Sequence, residues 1–392
     1  MSIALNKFYL LSASVLSYGF FSSPTPDAFG LSEAFMLMLL ISSVSLNRFF
    51  SGLNGKTIRF YHISFIVFVL IGFLGSIFRA DSFTAVARDM IPFIYVFIIV
   101  FVKVPTRQEL VFLTYCCLAA AIAYCARYIM TPGVDFLSVG SATFFGDLNY
   151  YVLDPLVNFG LGFSIFMVFR AVNARQPVQA TFFILCAMFI LLSLSLILVR
   201  APIILSGALI LMLSIRAPLL LLIVAISIFF TNFAAEIIEL VGRIANLIIM
   251  KFDRVGLNSK GDDLAIVLEL ISQPPILFLG VGFGGVTYSQ AADGLVAYFH
   301  NFPSFMLFKF GILGFVFSLI LVFNIFLRPL TRICKSYAIS SNKLFFSFDN
   351  AIISGLLMAF SSSIFLQASY RSFSFGVLVL IALAMHKYRD RN

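Results

Sequence analysis

A histidine and an asparagine stand together where a long apolar run begins, at His300 and Asn301 in "YFHNFPSFMLFKFGILGF". The chain has only three histidines. An imidazole titrates near neutral pH and can accept the proton of a hydroxyl group, and a neighbouring amide can orient it or hold that hydroxyl. The alternative is a histidine that only hydrogen-bonds the backbone at a helix start. His300 is therefore a candidate general base, with Asn301 as a candidate binding residue.

Four carboxylates compete with the histidine for the role of base. They occupy the same part of the chain as His300 and are Asp253, Asp262, Asp263 and Asp293. The sequence does not rank them, so the base stays open between an imidazole and a carboxylate.

Several arginines stand alone between or beside apolar segments. Arg200 in "SLSLILVRAPIILSGALIL" is the clearest case, with one guanidinium in a tight turn between two apolar stretches. A guanidinium presents a planar fork of donors that suits phosphate oxygens, whereas a solitary arginine can also simply anchor a helix end at the membrane surface. The same alternatives apply to Arg79, Arg88, Arg254 and Arg371. Because several such arginines converge on one predicted face, they favour a site for an anionic substrate.

The elements that position these residues are predicted to be membrane helices. Hydrophobic residues make up 61% of the chain, charged residues 11%, and the mean hydropathy is +1.06. This composition excludes an ordinary soluble domain. Residues 1–392 are predicted to form one all-α integral membrane domain, a polytopic bundle of about twelve spans. The predicted spans are 6–22, 31–47, 60–78, 90–103, 110–130, 151–169, 179–199, 201–215, 217–233, 302–327, 349–367 and 372–386.

The charges predict the orientation of the bundle. With the amino terminus inside, 16 of the 26 basic residues but only 3 of the 17 acidic residues fall on the cytoplasmic side, as the positive-inside rule requires. Both termini are therefore predicted to be cytoplasmic. One extracytoplasmic loop is long, residues 234–301, and such a length indicates a functional element. Within it, "DDLAIVLELISQPP" is predicted to form an amphipathic helix that lies at the membrane surface.

Four glycines in "LFLGVGFGGVTYSQ" superficially resemble a nucleotide-binding run. No predicted strand or following helix frames them, and the site faces away from cytoplasmic nucleotides. A close-packed backbone turn, in which the glycines adopt positive φ, fits better.

The order of these motifs resembles the O-antigen polymerase and O-antigen ligase superfamily of bacterial membrane proteins. "PPILFLGVGFG" followed by "HNFPSFMLFKFGILG" is similar to that family's Gly-x-Gly stretch, His-Asn pair and following glycines, here Gly311 and Gly314. "LVRAPIILSGAL" places Arg200 where the family has an arginine at the outer end of a span. The resemblance covers residues 195–320 in motif and the whole chain in layout. It implies the bacterial inner membrane, with the active face and the long loop in the periplasm.

The resemblance implies glycosyl transfer from undecaprenyl pyrophosphate onto the next lipid-linked repeat unit. His300, Arg254 and Arg200 are the predicted catalytic residues, the arginines because fixed cations stabilise a pyrophosphate leaving group. Asn301, Lys251 and Arg371 are the predicted substrate-binding residues. The partners implied are the lipid-linked oligosaccharide, the bilayer and a candidate chain-length-regulating co-polymerase. No nucleic acid or cofactor is expected. No metal ion is expected either, because the other histidines are predicted on the cytoplasmic side.

Two departures from the family pattern favour a polymerase over a ligase that transfers glycan to lipid A-core. Asp262 and Asp263 stand where ligases usually carry an arginine at the start of the loop helix, and Arg254 is the nearest substitute. Lys309 occupies a position where the family often has an acid or a small residue. A flippase or transporter is the alternative from another class. It is disfavoured because the two halves of the chain look dissimilar and the spans carry few charges near the membrane centre.

Overall fold

The computed structural model describes most of the chain as helix. The described residues are 7–22, 30–45, 56–79, 82–131, 149–196, 200–217, 242, 267, 269, 276–289, 294–296, 299, 301–339, 341–365 and 368–389. The predicted span 217–233 and almost all of the predicted amphipathic helix lie outside these residues.

The helices follow the predicted apolar segments. They are α1 (Lys7–Phe21), α2 (Leu31–Ser43), α3 (Lys56–Arg79), α4 (Phe83–Val96), α5 (Ile98–Phe101), α6 (Arg107–Met130), α7 (Asn149–Val152), α8 (Pro155–Asn173), α9 (Pro177–Leu196), α10 (Arg200–Arg216), α11 (Ile276–Leu279), α12 (Phe302–Val322), α13 (Arg328–Ile339), α14 (Asn342–Phe345), α15 (Phe348–Phe365) and α16 (Phe373–Arg389). Among the described residues, five helical segments are long and apolar enough to cross a membrane, and four shorter apolar helices accompany them. The chain is thus a multi-pass helical membrane protein.

The fourth predicted span begins earlier in the structure than its apolar residues suggested. Ser82 caps the amino terminus of α4 by accepting a hydrogen bond from the Ala85 N–H. Such a cap satisfies one of the free N–H groups of the first helical turn. As a result, Arg88 and Asp89 lie inside the helix and not before it.

The helix of the tenth predicted span, 302–327, does not end where that span ends. The helix continues through a π-helical turn, Phe323–Leu327, directly into α13. Arg328, Arg332 and Lys335, which the charge pattern assigned to the cytoplasmic side, lie on a helix. The extra residue of a π turn shifts the helix face, and α13 buries Pro329 and Ile333.

Side-chain contacts divide the bundle into two ends. At the near end, the Lys7 ammonium donates to the Val44 carbonyl, and Arg107 and Arg332 both contact Asp349. The far end is the end of the bundle where α1 and α6 finish and where α12 and α16 begin. Arg127 and Tyr370 make hydrogen bonds there. The predicted alternation of the spans places the near end in the cytoplasm and the far end outside.

The one sheet in the described residues is a short antiparallel hairpin within the predicted long loop. Its strands are β1 (Thr287–Ser289) and β2 (Gly294–Val296), with Thr287 opposite Val296. The all-α prediction did not include it. The hairpin follows the glycine run and leads back toward the start of α12, so it lies in the part of the chain that carries the predicted site.

Candidate functional site

The glycine run forms a tight turn in which the backbone N–H groups of residues 280–284 donate to other groups of the protein. Val281 and Gly282 donate to the carbonyls of Phe308 and Lys309, each at 2.8 Å. Phe283 donates to the Gly72 carbonyl at 3.1 Å. The turn is therefore held by α3 and α12, and those donors are already bonded within the protein. This agrees with the rejection of a nucleotide site.

Three glycines of the turn have positive φ, as the sequence predicted: Gly280 at 67°, Gly282 at 74° and Gly284 at 80°. Glycine adopts this conformation without the steric penalty of other residues. A Cβ on Gly282 would also lie 2.8 Å from the Gly72 carbonyl oxygen. The prediction of a close-packed turn is confirmed.

Gly311, the first glycine after the His-Asn pair, also combines a positive φ with a close backbone contact. Gly311 interrupts α12 with φ 61° and ψ −154°. A Cβ there would lie 2.5 Å from the Phe278 carbonyl carbon, and a Cβ on Gly280 would collide with the backbone of Lys309 and Phe310. The two glycine segments of the motif thus pack directly against each other, backbone against backbone.

A buried ion pair joins this turn to α4. Lys309 Nζ lies 2.5 Å from Asp89 Oδ2 and 2.6 Å from the Gly285 carbonyl oxygen. The same carboxylate oxygen accepts the Gly284 N–H at 2.8 Å, and Arg88 Nε lies 3.2 Å from Asp89 Oδ1. The side chains of Lys309 and Asp89 are 0% and 2% exposed.

Sequence reasoning singled out Lys309 but missed its partner. A lysine inside an apolar run needs a counter-charge, and an acid near the predicted edge of another span was the available signal. The predicted span began one residue after Asp89, so the acid appeared to belong to a loop. Arg88, a predicted membrane-edge arginine, is half-buried and bonds this same carboxylate.

Two predicted binding residues, Asn301 and Arg371, lie on chain segments that contact each other. The Tyr370 hydroxyl donates to the Phe299 carbonyl at 2.6 Å, and the ring of Tyr370 packs against Phe302 and Phe305. Arg371, half-buried, directly follows Tyr370 and ends the 3₁₀ turn Ala368–Arg371. The amino end of α12 and the chain before α16 are therefore joined at the far end.

Asn301, predicted to bind substrate, has a structural role in the fold. Its Oδ1 accepts the Ser304 N–H at 2.8 Å and caps α12. An N-cap of this kind stabilises a helix start by about 1 kcal/mol. The amide NH₂ of the half-buried side chain takes no part in this cap.

A second cluster at the far end contains an arginine that sequence reasoning did not select. Arg127 donates to the carbonyls of Gly19 and Ser22 and, at 2.7 Å, to the Tyr151 hydroxyl. Its guanidinium also lies 4.4 Å from the centre of the Tyr151 ring. Carbonyls at the end of α1 need donors from outside that helix, so Arg127 ties the ends of α1 and α6 together. Its position at the outer end of a predicted span was the signal for finding it.

The other predicted site residues are only partly described. Arg200 is the first residue of α10, but its side chain lies outside the described part of the structure. His300, Arg254 and Lys251 also lie outside it, as do the four competing aspartates. Of the predicted amphipathic helix, Val267 is fully buried beside Val281, Phe299 and Phe308.

Within the described residues, no group of three or more metal-binding side chains occurs. No protein-family model matches the sequence, and a comparison with curated proteins finds no match.

Proposed function

We propose that this protein is an O-antigen polymerase of the bacterial inner membrane, with about twelve spans and both termini in the cytoplasm. It transfers a glycan from undecaprenyl pyrophosphate onto the next lipid-linked repeat unit. The reaction takes place at the far end of the bundle, on the periplasmic side and beneath the long loop 234–301.

One observation carries the proposal. Two of the three segments that resemble the polymerase and ligase superfamily form a single packed unit, because the turn at Gly280–Gly282 lies directly on the backbone around Gly311. The chain between them contains His300 and Asn301, and Tyr370 bonds the adjacent Phe299 carbonyl. Motif segments that pack against each other favour the resemblance more strongly than the same residues scattered over the bundle would.

The proposed reaction forms one glycosidic bond and breaks one. The acceptor hydroxyl oxygen attacks the anomeric carbon of the donor glycan, and His300 accepts the hydroxyl proton. The bond from that carbon to the pyrophosphate oxygen breaks, and undecaprenyl pyrophosphate leaves with the electron pair. Arg200 and Arg254 stabilise its developing charge, while Asn301, Lys251 and Arg371 hold the substrates. The protein supplies these groups without a cofactor.

A transporter of lipid-linked oligosaccharide is the second candidate, and one observation favours it. Asp89 and Lys309 form an ion pair inside apolar helices, and such pairs often belong to substrate or ion pathways. Lys309 is, however, about 10 Å along its helix from Phe302 at 1.5 Å per residue. This is about a third of the way through a hydrocarbon core of about 30 Å, whereas transporter sites lie near the midplane. The position favours the transferase.

A surface-glycan ladder gel tests the proposal. Cells that lack the gene are complemented with the wild type, His300→Ala or Arg200→Ala at matched amounts of membrane protein. A polymerase deficiency leaves lipid A-core with a single repeat unit. Bare core with long chains on undecaprenyl pyrophosphate would instead indicate a ligase, and untranslocated single units a transporter. A normal ladder from both point variants would show that the catalytic assignments are wrong.

A further inference from the structure

One stretch of chain, residues 280–301, crosses the far end between α11 and α12, and we call it the strap. The structure describes its residues 280–289, 294–296, 299 and 301. It begins with the glycine turn, continues through the hairpin of β1 and β2, and ends at Asn301, the cap of α12. His300 belongs to this stretch.

Contacts with the bundle hold the strap at both ends. Near its carboxyl end, Tyr370 bonds the Phe299 carbonyl and Asn301 bonds the Ser304 N–H. Near its amino end, the ion pair of Asp89 and Lys309 contacts the backbone of the turn. The hairpin lies between these two anchors.

The ion pair bonds two specific backbone groups of the strap. Asp89 accepts the N–H of Gly284, and Lys309 donates to the carbonyl oxygen of Gly285. A pair of apolar side chains can often replace a buried ion pair without loss of stability, but it could not bond these two groups. The pair therefore fixes where the turn lies, in addition to filling space.

We propose that Asp89 and Lys309 are positioning residues, whose ion pair is a latch that holds the strap against α4 and α12. With the latch closed, the turn keeps its place against α12, whose cap Asn301 is a proposed substrate-binding residue, and the latch thereby positions Asn301 for glycosyl transfer. The effect on the reaction rests on the proposed function. The closure of the latch does not, so the two can be tested separately.

Labelling of a cysteine in the glycine turn measures latch closure. Val281 is 8% exposed, and Val281→Cys places a thiol that a membrane-impermeant maleimide reaches only when the turn detaches. Cys334, the exposed native cysteine, is replaced by serine. Labelling is then compared in whole cells for the intact pair, Asp89→Asn, Lys309→Met and the double variant Asp89→Asn/Lys309→Met.

Lys309→Met leaves the buried Asp89 with only the half-buried Arg88 as a counter-charge, and Asp89→Asn leaves Lys309 without that carboxylate. We expect either change to raise the open population by on the order of 100-fold. We expect labelling to rise strongly in both single variants and to fall only in part in the double variant. Its asparagine can still accept the Gly284 N–H, but its methionine cannot donate to the Gly285 carbonyl. Polymer made per molecule of protein should follow the same order. Lys335→Met, at an exposed lysine of α13, should change neither quantity.

Three results would overturn the proposal. Labelling that stays low in both single variants means that the pair does not hold the strap. Labelling that rises while polymer per molecule stays normal means that the latch does not position the reaction. Loss of membrane protein with unchanged labelling and unchanged polymer per molecule means that the pair acts only in folding. If deletion of the gene leaves the glycan ladder intact, the proposed function fails, while the labelling result still decides whether the latch exists.

Discussion

The ion pairs at the two ends of the bundle are built from the same residue types but differ in how deeply they are buried. At the near end, Lys103 lies 3.8 Å from Glu109, and Arg107 lies 3.6 Å from Asp349, with the basic side chains more than half exposed. At the far end, Lys309 and Asp89 are 2.5 Å apart and almost fully buried. Exposed pairs contribute little because water and salt screen them. Breaking a buried pair is costly because one ion stays behind without water. The near end is thus a solvated surface, and the far end has a fixed internal geometry.

Removing one ion from each end gives the largest contrast. Lys309→Met should destabilise the protein by about 3–5 kcal/mol, because the buried Asp89 keeps only the half-buried Arg88 as a counter-charge. Lys103→Met removes an exposed partner and should cost at most about 1 kcal/mol. Thermal unfolding of the purified proteins in one detergent measures both. Equal losses from the two variants would remove the distinction between the ends.

Alanine substitution of two glycines tests whether the far end depends on backbone contact. Gly311→Ala should cost at least about 2 kcal/mol, because φ there is positive and the methyl group would meet the backbone of Phe278. Gly207→Ala is the matched control, since no described atom outside its own stretch of helix lies within 4 Å of its Cβ position. It should be neutral or stabilise by up to about 1 kcal/mol. The same unfolding measurement applies, and a harmless Gly311→Ala would mean that the two glycine segments do not pack as described.

The second anchor of the strap should be weaker than the ion pair. Tyr370→Phe leaves the buried Phe299 carbonyl without its donor, which costs about 1–3 kcal/mol. Tyr9→Phe, at a side chain that is 52% exposed, is the control and should have no effect. Hydrogen exchange at the start of α12, followed by mass spectrometry, should increase for Tyr370→Phe alone. Unchanged exchange would exclude the hydroxyl as an anchor.

The smallest effect is expected at the near end. Asp349→Asn removes the acid that Arg107 and Arg332 share at 3.6 Å each, and it should cost less than about 1 kcal/mol. That cost should fall further as salt is added. A salt titration of the unfolding midpoint checks this, and a large, salt-independent loss would show that the near end is also rigidly built.

The fold was largely predictable, because length and apolar composition are almost sufficient to predict a membrane helix. Composition and charge gave the helical membrane class, and the glycine run gave a close-packed turn with positive φ. The hairpin was not predictable, because Thr287–Ser289 and Gly294–Val296 are short and their pairing depends on the chain around them. The π-helical turn was missed because Phe323–Leu327 has the same apolar composition as the α-helix before it.

The site was predicted less completely than the fold. Asn301 and Arg371 were selected from the sequence, and the structure brings their segments together through Tyr370 and Phe299. Asp89 was missed because pairing across about 220 residues depends on tertiary packing, which hydropathy does not encode. Arg127 was missed because its partners are mainly backbone carbonyls, which leave no signature in the sequence. The roles of His300, Arg200 and Arg254 stay predictions.

Reconstitution tests the central claim most directly. Lipid-linked repeat units are extracted from membranes of cells that lack the gene and are supplied to the purified protein in liposomes. We expect chains of increasing length, with one undecaprenyl pyrophosphate released for each glycosidic bond formed, and no chain growth with His300→Ala. Repeat units that cross the bilayer without any chain growth would contradict the account and identify a transporter.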